Sequence, residues 1–281
     1  MIRFRFLLAM ALAMASLAAH GAISCTFSAT GWTTAYVPST AATNITQSTI
    51  TVTCQRNALF DGTTANFTIS ANNGTHAAGQ QNRAQLNAAN RINYENYQDS
   101  GCGTVWNATG GGRISGSITA LTGFTPKTTT ISFWGCVPGS QTGHAAGTYT
   151  DTVTMTLNYG GATNPTATFP VAIVTPASCT ISTAPGAVAF TYSAFQASAA
   201  NASTTFQVTC TNLLPYTMAL DATTAVIAGL QYSLSLSGAG ATGTGAAQNY
   251  TITGTMPADQ AGTCVTSSCA TTQVRTLTIS Y

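Results

Sequence analysis

The chain carries the same landmarks twice. The segment CTFSATGW…TITVTC, from Cys25 to Cys54, returns as CTISTAPG…TFQVTC, from Cys179 to Cys210. INYENY around Tyr94 returns as LQYSLS around Tyr232, and the run ending at Tyr159 returns as the run ending at Tyr281. GCVPGSQ (Gly135, Pro138, Gln141) returns as GTMPADQ (Gly254, Pro257, Gln260), with the spacing unchanged. Landmarks met twice in one order mean two homologous units, so whatever fold serves one must serve both.

Each unit reads as β-sheet. Ser48, Ile50, Val52 and Cys54 alternate with Thr49, Thr51 and Thr53, and Thr204, Phe206, Val208 and Cys210 repeat the pattern. A period of two puts one set of side chains on each face of a strand, and the Gly, Pro and Asn clusters between such runs supply turns. Short strands at this spacing predict an all-β protein, two immunoglobulin-like β-sandwich domains in tandem. With 5% charged residues, uncharged polar side chains must cover the outside, and threonine suits a pleated surface.

Residues 1–22 have the pattern of an export signal. Arg3 and Arg5 precede the apolar run FLLAMALAMASLAA, and small residues follow around Gly21 and Ala22. That run is shorter than the ~20 residues of a membrane-spanning helix. Cleavage removes Arg3 and Arg5 and balances the charge, since the whole chain has 8 Lys and Arg against 6 Asp and Glu. Lys127 is its one lysine. Nucleic-acid binding needs clustered basic side chains, so that class is excluded.

Eight cysteines behind an export signal point to disulfides. Four cysteines in one unit allow three pairings. The repeat favours Cys25–Cys54 and Cys179–Cys210, which leaves Cys102–Cys136 and Cys264–Cys269. Each long loop so closed adds roughly 3 kcal/mol. Zinc is the rival, but CVTSSC has no partner pair, and His76 and His144 stand apart; no metal and no cofactor are expected. A hydrolase needs a nucleophile with its base, or paired carboxylates. The six acids, Asp61, Glu95, Asp99, Asp151, Asp221 and Asp259, suggest neither, so no enzyme is expected. Asp151 reads as a backbone hydrogen-bond acceptor. Glu95 and Asp99 read as solvated loop acids, with sugar binding as the functional alternative. His144 lies in a loop insertion that the second unit lacks.

These landmarks, together with TVWNATGGG and AGTYTDTVTMTLNY, give the chain a resemblance to the spore coat protein U domain family. It covers essentially all of residues 23–281, twice. It is weaker in the second unit, where Cys264 stands in the place of Tyr149 and a cysteine hairpin replaces TYTD. Members of the family include pilins and tip adhesins of archaic chaperone–usher pili. The resemblance implies a sandwich lacking one strand, which the N-terminal extension of the next subunit supplies. The segment 166–175 sets Ala167, Phe169, Val171 and Ile173 on one face and is expected to complete the first unit in cis, with Pro170 marking an edge strand. The expected division is an N-terminal adhesin-like domain, 23–175, and a C-terminal pilin-like domain, 176–281, incomplete for want of its last strand. With two or three residues between the cut and Cys25, the protein is expected to accept a donor strand and have none to give, as befits a fibre tip. The implied partners are a periplasmic pilus chaperone, an outer-membrane usher, the donor strand of the next pilin, and a surface or host receptor. The implied destination is the cell surface, by way of the periplasm. The alternative is a secreted coat protein outside any pilus.

The first unit is the longer, chiefly in its loops. RNALFDGT presents Leu59 and Phe60, GCGTVWNATGGGR presents Val105 and Trp106 with Arg113, and LTGFTPKT presents Leu121, Phe124 and Lys127. Apolar loop tips on a rigid sandwich are places of contact. Leu59, Phe60, Val105, Trp106 and Phe124 are therefore the candidate adhesive residues. Trp106 reads equally as core, because the family often has Trp at this point. Phe133 and Trp134 read as strand residues.

Overall fold

The computed structural model describes residues 23–161, 163–266 and 268–281; the export signal at 1–22 lies outside them. The first strands are β1 (Ser24–Ala29), β2 (Trp32–Ala35), β3 (Asn44–Gln55), β4 (Ala65–Ala71) and β5 (Asn82–Asn87). They are followed by β6 (Asn90–Tyr97), β7 (Ile114–Ile118), β8 (Lys127–Val137), β9 (Gly147–Asn158) and β10 (Thr166–Thr175). The C-terminal part holds β11 (Cys179–Thr183), β12 (Ala200–Cys210), β13 (Pro215–Leu220), β14 (Thr224–Ile227) and β15 (Leu230–Leu236). Its remaining strands are β16 (Gly240–Thr242), β17 (Ala247–Met256) and β18 (Leu277–Ser280).

The architecture is all-β and immunoglobulin-like. In the N-terminal part β1-β3-β8-β6 forms one layer and β7-β4-β9-β10-β2 the other, with β5 joining β6 to β9. Alternation drives the packing. Tyr149, Asp151, Val153, Met155 and Leu157 of β9 are buried, while the threonines between them face outward or lie partly covered. In the C-terminal part, β11-β12-β17-β15-β14 and β16-β13-β18 enclose a second apolar cluster around Phe206, Val208, Met218 and Ile252. The four disulfides are Cys25–Cys54, Cys102–Cys136, Cys179–Cys210 and Cys264–Cys269. The first and third join directly opposed residues of β1 and β3, and of β11 and β12.

The repeated G-x-x-P-x-x-Q motif has one physical explanation in both places. The Tyr36 hydroxyl donates to the Pro138 carbonyl (2.8 Å) and accepts from the Gln141 N–H (3.1 Å). The Gln141 side chain then grips both backbone groups of Asn93. Tyr192, Pro257, Gln260 and Gln231 repeat the whole network. The glycine is needed for close approach: a Cβ at Gly135 would stand 2.2 Å from the Trp32 ring, and one at Gly254 2.5 Å from Phe190.

Strand β10 lies antiparallel along β9 from Thr166 to Thr175. Phe169, Val171 and Ile173 are buried, each contributing about 1.5–3 kcal/mol. The Phe169 ring stacks on Trp106, with centroids 5.9 Å apart, and meets Phe133 at 5.1 Å. The edge-strand expectation from Pro170 needs correction. Strand β2 runs parallel to β10 from Val171 to Val174, so β10 has neighbours on both sides. Pro170 falls one residue before that pairing begins and costs no ladder bond to β2.

Candidate functional site

The candidate residues and the unpaired strand lie in two regions of the molecule: one end of the N-terminal sandwich, and one edge of the C-terminal one.

The paired Gly147 and Thr175, with the loop that follows Val137, mark one end of the N-terminal sandwich. Here Asn212 of the C-terminal part donates its amide to the Gly143 carbonyl (2.6 Å) and bridges to Ala145. His144, in the loop insertion that the second unit lacks, is half-buried at this joint against the edge of Tyr149, and burial lowers its pKa. The opposite end is where β3 and β7 finish and β4 and β8 begin. Its two loops, 56–64 and 119–126, are tied together by the Leu121 N–H donating to the Thr63 carbonyl (2.9 Å). Leu121 itself is buried and anchors its loop, while Leu59, Phe60 and Phe124 stand exposed, Phe60 at 94%. Asp61 caps the first loop by accepting the N–H groups of Asn57 and Ala58.

The third candidate loop does not join them. Trp106 is 2% exposed and its indole N–H donates to the Ile69 carbonyl (2.9 Å), so it is a core residue and leaves the set of adhesive side chains. Its burial follows from Phe169, which stacks on the ring, and Phe133, which meets it edge-on; the two phenyl rings also touch each other. Val105 bridges to Tyr97 and is partly buried. The two acids nearby are also engaged. Glu95 belongs to β6, where it accepts from the Gln81 amide and the Asn82 N–H. Burial pushes its pKa up to about 7, against the lowering effect of the Asn82 N–H. It is therefore no solvated loop acid. Asp99 closes its own turn, and the N–H groups of Thr104 and Gly103 hold its carboxyl below the usual range. Asp151 is the buried acceptor expected, taking bonds from the Thr75 N–H and hydroxyl and from the Tyr94 hydroxyl.

The second region is the edge of β18. Counting back from Tyr159 and Tyr281 aligns β18 with the last part of β9, and the pairings agree: Ile69 opposes Leu157, as Met218 opposes Ile279. Strand β9 has β4 on one side and β10 on the other. Strand β18 has β13 on one side, and among the described residues no strand on the other. The segment 188–191, which matches β2 through the shared tyrosine network, likewise forms no strand. Between them Leu277 and Ile279 are only partly covered. In the N-terminal sandwich the corresponding place, next to β9 and β2, is taken by β10.

The family model described as the spore coat protein U domain matches residues 11–156 and again 165–238. The chain belongs to the spore coat protein U domain family. The two matches follow the internal repeat, and the second stops before the cysteine hairpin. Among solved structures, this family member is similar over 92% of its length to the CsuC–CsuE chaperone–tip adhesion subunit pre-assembly complex from archaic chaperone–usher Csu pili of Acinetobacter baumannii. That match covers 99% of the other chain at 15% identity, with a TM-score of 0.49. It is similar over 85% of its length to the CupB6 tip adhesin of Pseudomonas aeruginosa, covering 89% of that chain at 10% identity and a TM-score of 0.41. A third likeness, to AggA, the major subunit of aggregative adherence fimbriae type I of Escherichia coli, covers 54% of this chain and 95% of that one, at 12% identity and a TM-score of 0.29. No curated protein sequence matches. Among the described residues no helix is long and apolar enough to cross a membrane.

Proposed function

We propose that this protein is the tip adhesin of an archaic chaperone–usher pilus. On this reading residues 23–175 form the adhesin domain, and residues 176–281 the domain that joins the fibre by accepting the donor strand of the next pilin. A periplasmic chaperone holds the open domain until an outer-membrane usher passes it to the cell surface. The observation that carries the proposal is the unpaired edge of β18 beside the unpaired segment 188–191, where the N-terminal sandwich has β10. An exposed strand edge is a template for another strand, and extended segments bind by adding to it.

The adhesive contact is assigned to Leu59, Phe60 and Phe124, at the end of the sandwich away from the joint with the C-terminal part. A buried ring contributes ~150–250 Å² of apolar contact at roughly 25 cal/mol per Å². Many fibres then multiply weak single contacts. Val105, partly buried at the loop's bridge to Tyr97, belongs at most to the margin of this contact.

The test is electron microscopy of cells making the protein with its chaperone, usher and pilins, using an antibody to the N-terminal part. Label is expected at fibre ends; label along the shafts, or on cells without fibres, would contradict the tip assignment. The triple variant Leu59→Ser, Phe60→Ser, Phe124→Ser should reach the fibre end and lose adhesion, and wild-type adhesion should change little with salt. Normal adhesion by the displayed triple variant would move the contact elsewhere.

A further inference from the structure

The strand that β18 lacks would cross a floor unlike the one β10 covers. The inward positions Asp151, Val153, Met155 and Leu157 of β9 correspond to Gln273, Arg275, Leu277 and Ile279. The register is fixed independently by the Tyr94 hydroxyl, which donates to Asp151 Oδ2 (2.8 Å), and the Tyr232 hydroxyl, which donates to Gln273 Oε1 (2.7 Å). Arg275 thus holds the place of Val153, the residue that opposes Phe169 of β10. Its burial keeps phase with Leu277 and Ile279, so it faces the same way.

The guanidinium is tucked in. Its side chain is 20% exposed, Nε donates to the Tyr232 hydroxyl (2.9 Å), and Cζ lies 5.7 Å over the Tyr232 ring. Nη1 stands 3.7 Å from Asp221 Oδ2, within ion-pair range but beyond a hydrogen bond, and Asp221 itself is 40% exposed. A strand laid over this place would remove the guanidinium from water, and a buried charge must then find acceptors. The aromatic partners that receive Phe169 are also missing. Phe133 corresponds to Ile252, and the Trp106 loop has no counterpart in the shorter second unit.

We infer that the open groove of the C-terminal sandwich selects a strand carrying an aspartate or glutamate opposite Arg275, where the N-terminal sandwich takes the phenyl ring of Phe169. This rests on the strand-accepting role proposed above. The carboxylate matches the guanidinium fork and supplies charge-assisted bonds that a ring cannot.

The experiment titrates the oxidised full-length protein against two dye-labelled peptides of sequence 166–175, one unchanged and one carrying Phe169→Glu, and reads fluorescence anisotropy. The Phe169→Glu peptide should bind wild type at least about tenfold tighter. The Arg275→Val protein should prefer the unchanged peptide. Should that variant fail to fold, a Phe169→Gln peptide replaces it and should bind wild type more weakly than Phe169→Glu. Equal or tighter binding of the unchanged peptide to wild type overturns the acid selectivity and leaves strand acceptance standing. A preference for glutamate that survives Arg275→Val, or equal binding of the Gln and Glu peptides, overturns the role of Arg275. Binding of neither peptide overturns strand acceptance and the selectivity with it.

Discussion

Leu157 and Ile279 occupy the same register position in two copies of one fold, and only the first is fully buried. The difference is a single strand. With β10 in place, β9 is a continuous twelve-residue strand from Gly147 to Asn158, and every second side chain is sealed. Without its counterpart, β18 shortens to Leu277–Ser280, and residues 261–266 and 268–276 form no strand and carry Val265 and Val274 in solvent. A strand is held by neighbours on both sides, so withdrawing one loosens the layer well beyond the lost pairs.

The largest effect expected from this contrast is on the cost of deleting matched side chains. Leu157→Ala should destabilise its sandwich by about 2–5 kcal/mol, as removal of a sealed leucine does. Ile279→Ala should cost less than about half as much in chemical unfolding of the full chain, because water already reaches the site. Equal costs would mean that the two positions are equally covered.

A smaller effect should separate the halves by pH. Glu95 has its pKa raised from 4.5 to about 7, chiefly by burial. The fold therefore favours its protonated form, and the stability this contributes is complete below about pH 4.5 and is lost as pH rises through about 7. Its place in the second sandwich is held by Ser233. Stability of the N-terminal part should fall over that window, Glu95→Gln should flatten the slope, and the C-terminal transition should show no matching step. A slope unchanged in Glu95→Gln would remove Glu95 as its source.

Much of this was legible in residues alone. The repeat and the Thr-spaced alternation mark the β-class, and Phe169, Val171 and Ile173 mark a strand with one face to bury. Strand neighbours were less legible: Pro170 says only that one N–H is absent, and whether another strand lies alongside depends on β2, over a hundred residues away. Trp106 shows the same limit. Its loop looks like an exposed tip in sequence, and the partners that bury it, Phe133 and Phe169, come from two other strands. Arg275 is legible in the residues too, since it keeps strict two-residue phase with Leu277 and Ile279. A charged side chain on an inward phase is a signal to ask what will cover it.

Amide hydrogen exchange on the oxidised full-length protein addresses the missing strand most directly. In the protein alone, the amides of β18 that point away from β13, and those of residues 188–191, should exchange near the rate of an open chain, while the matching amides of β9 and β2 stay protected. Adding a peptide that binds the groove should slow both open sets together and leave β9 unchanged. Protection of the β18 edge as strong as that of β9, with nothing added, would mean that the C-terminal sandwich is already complete and has no strand to accept.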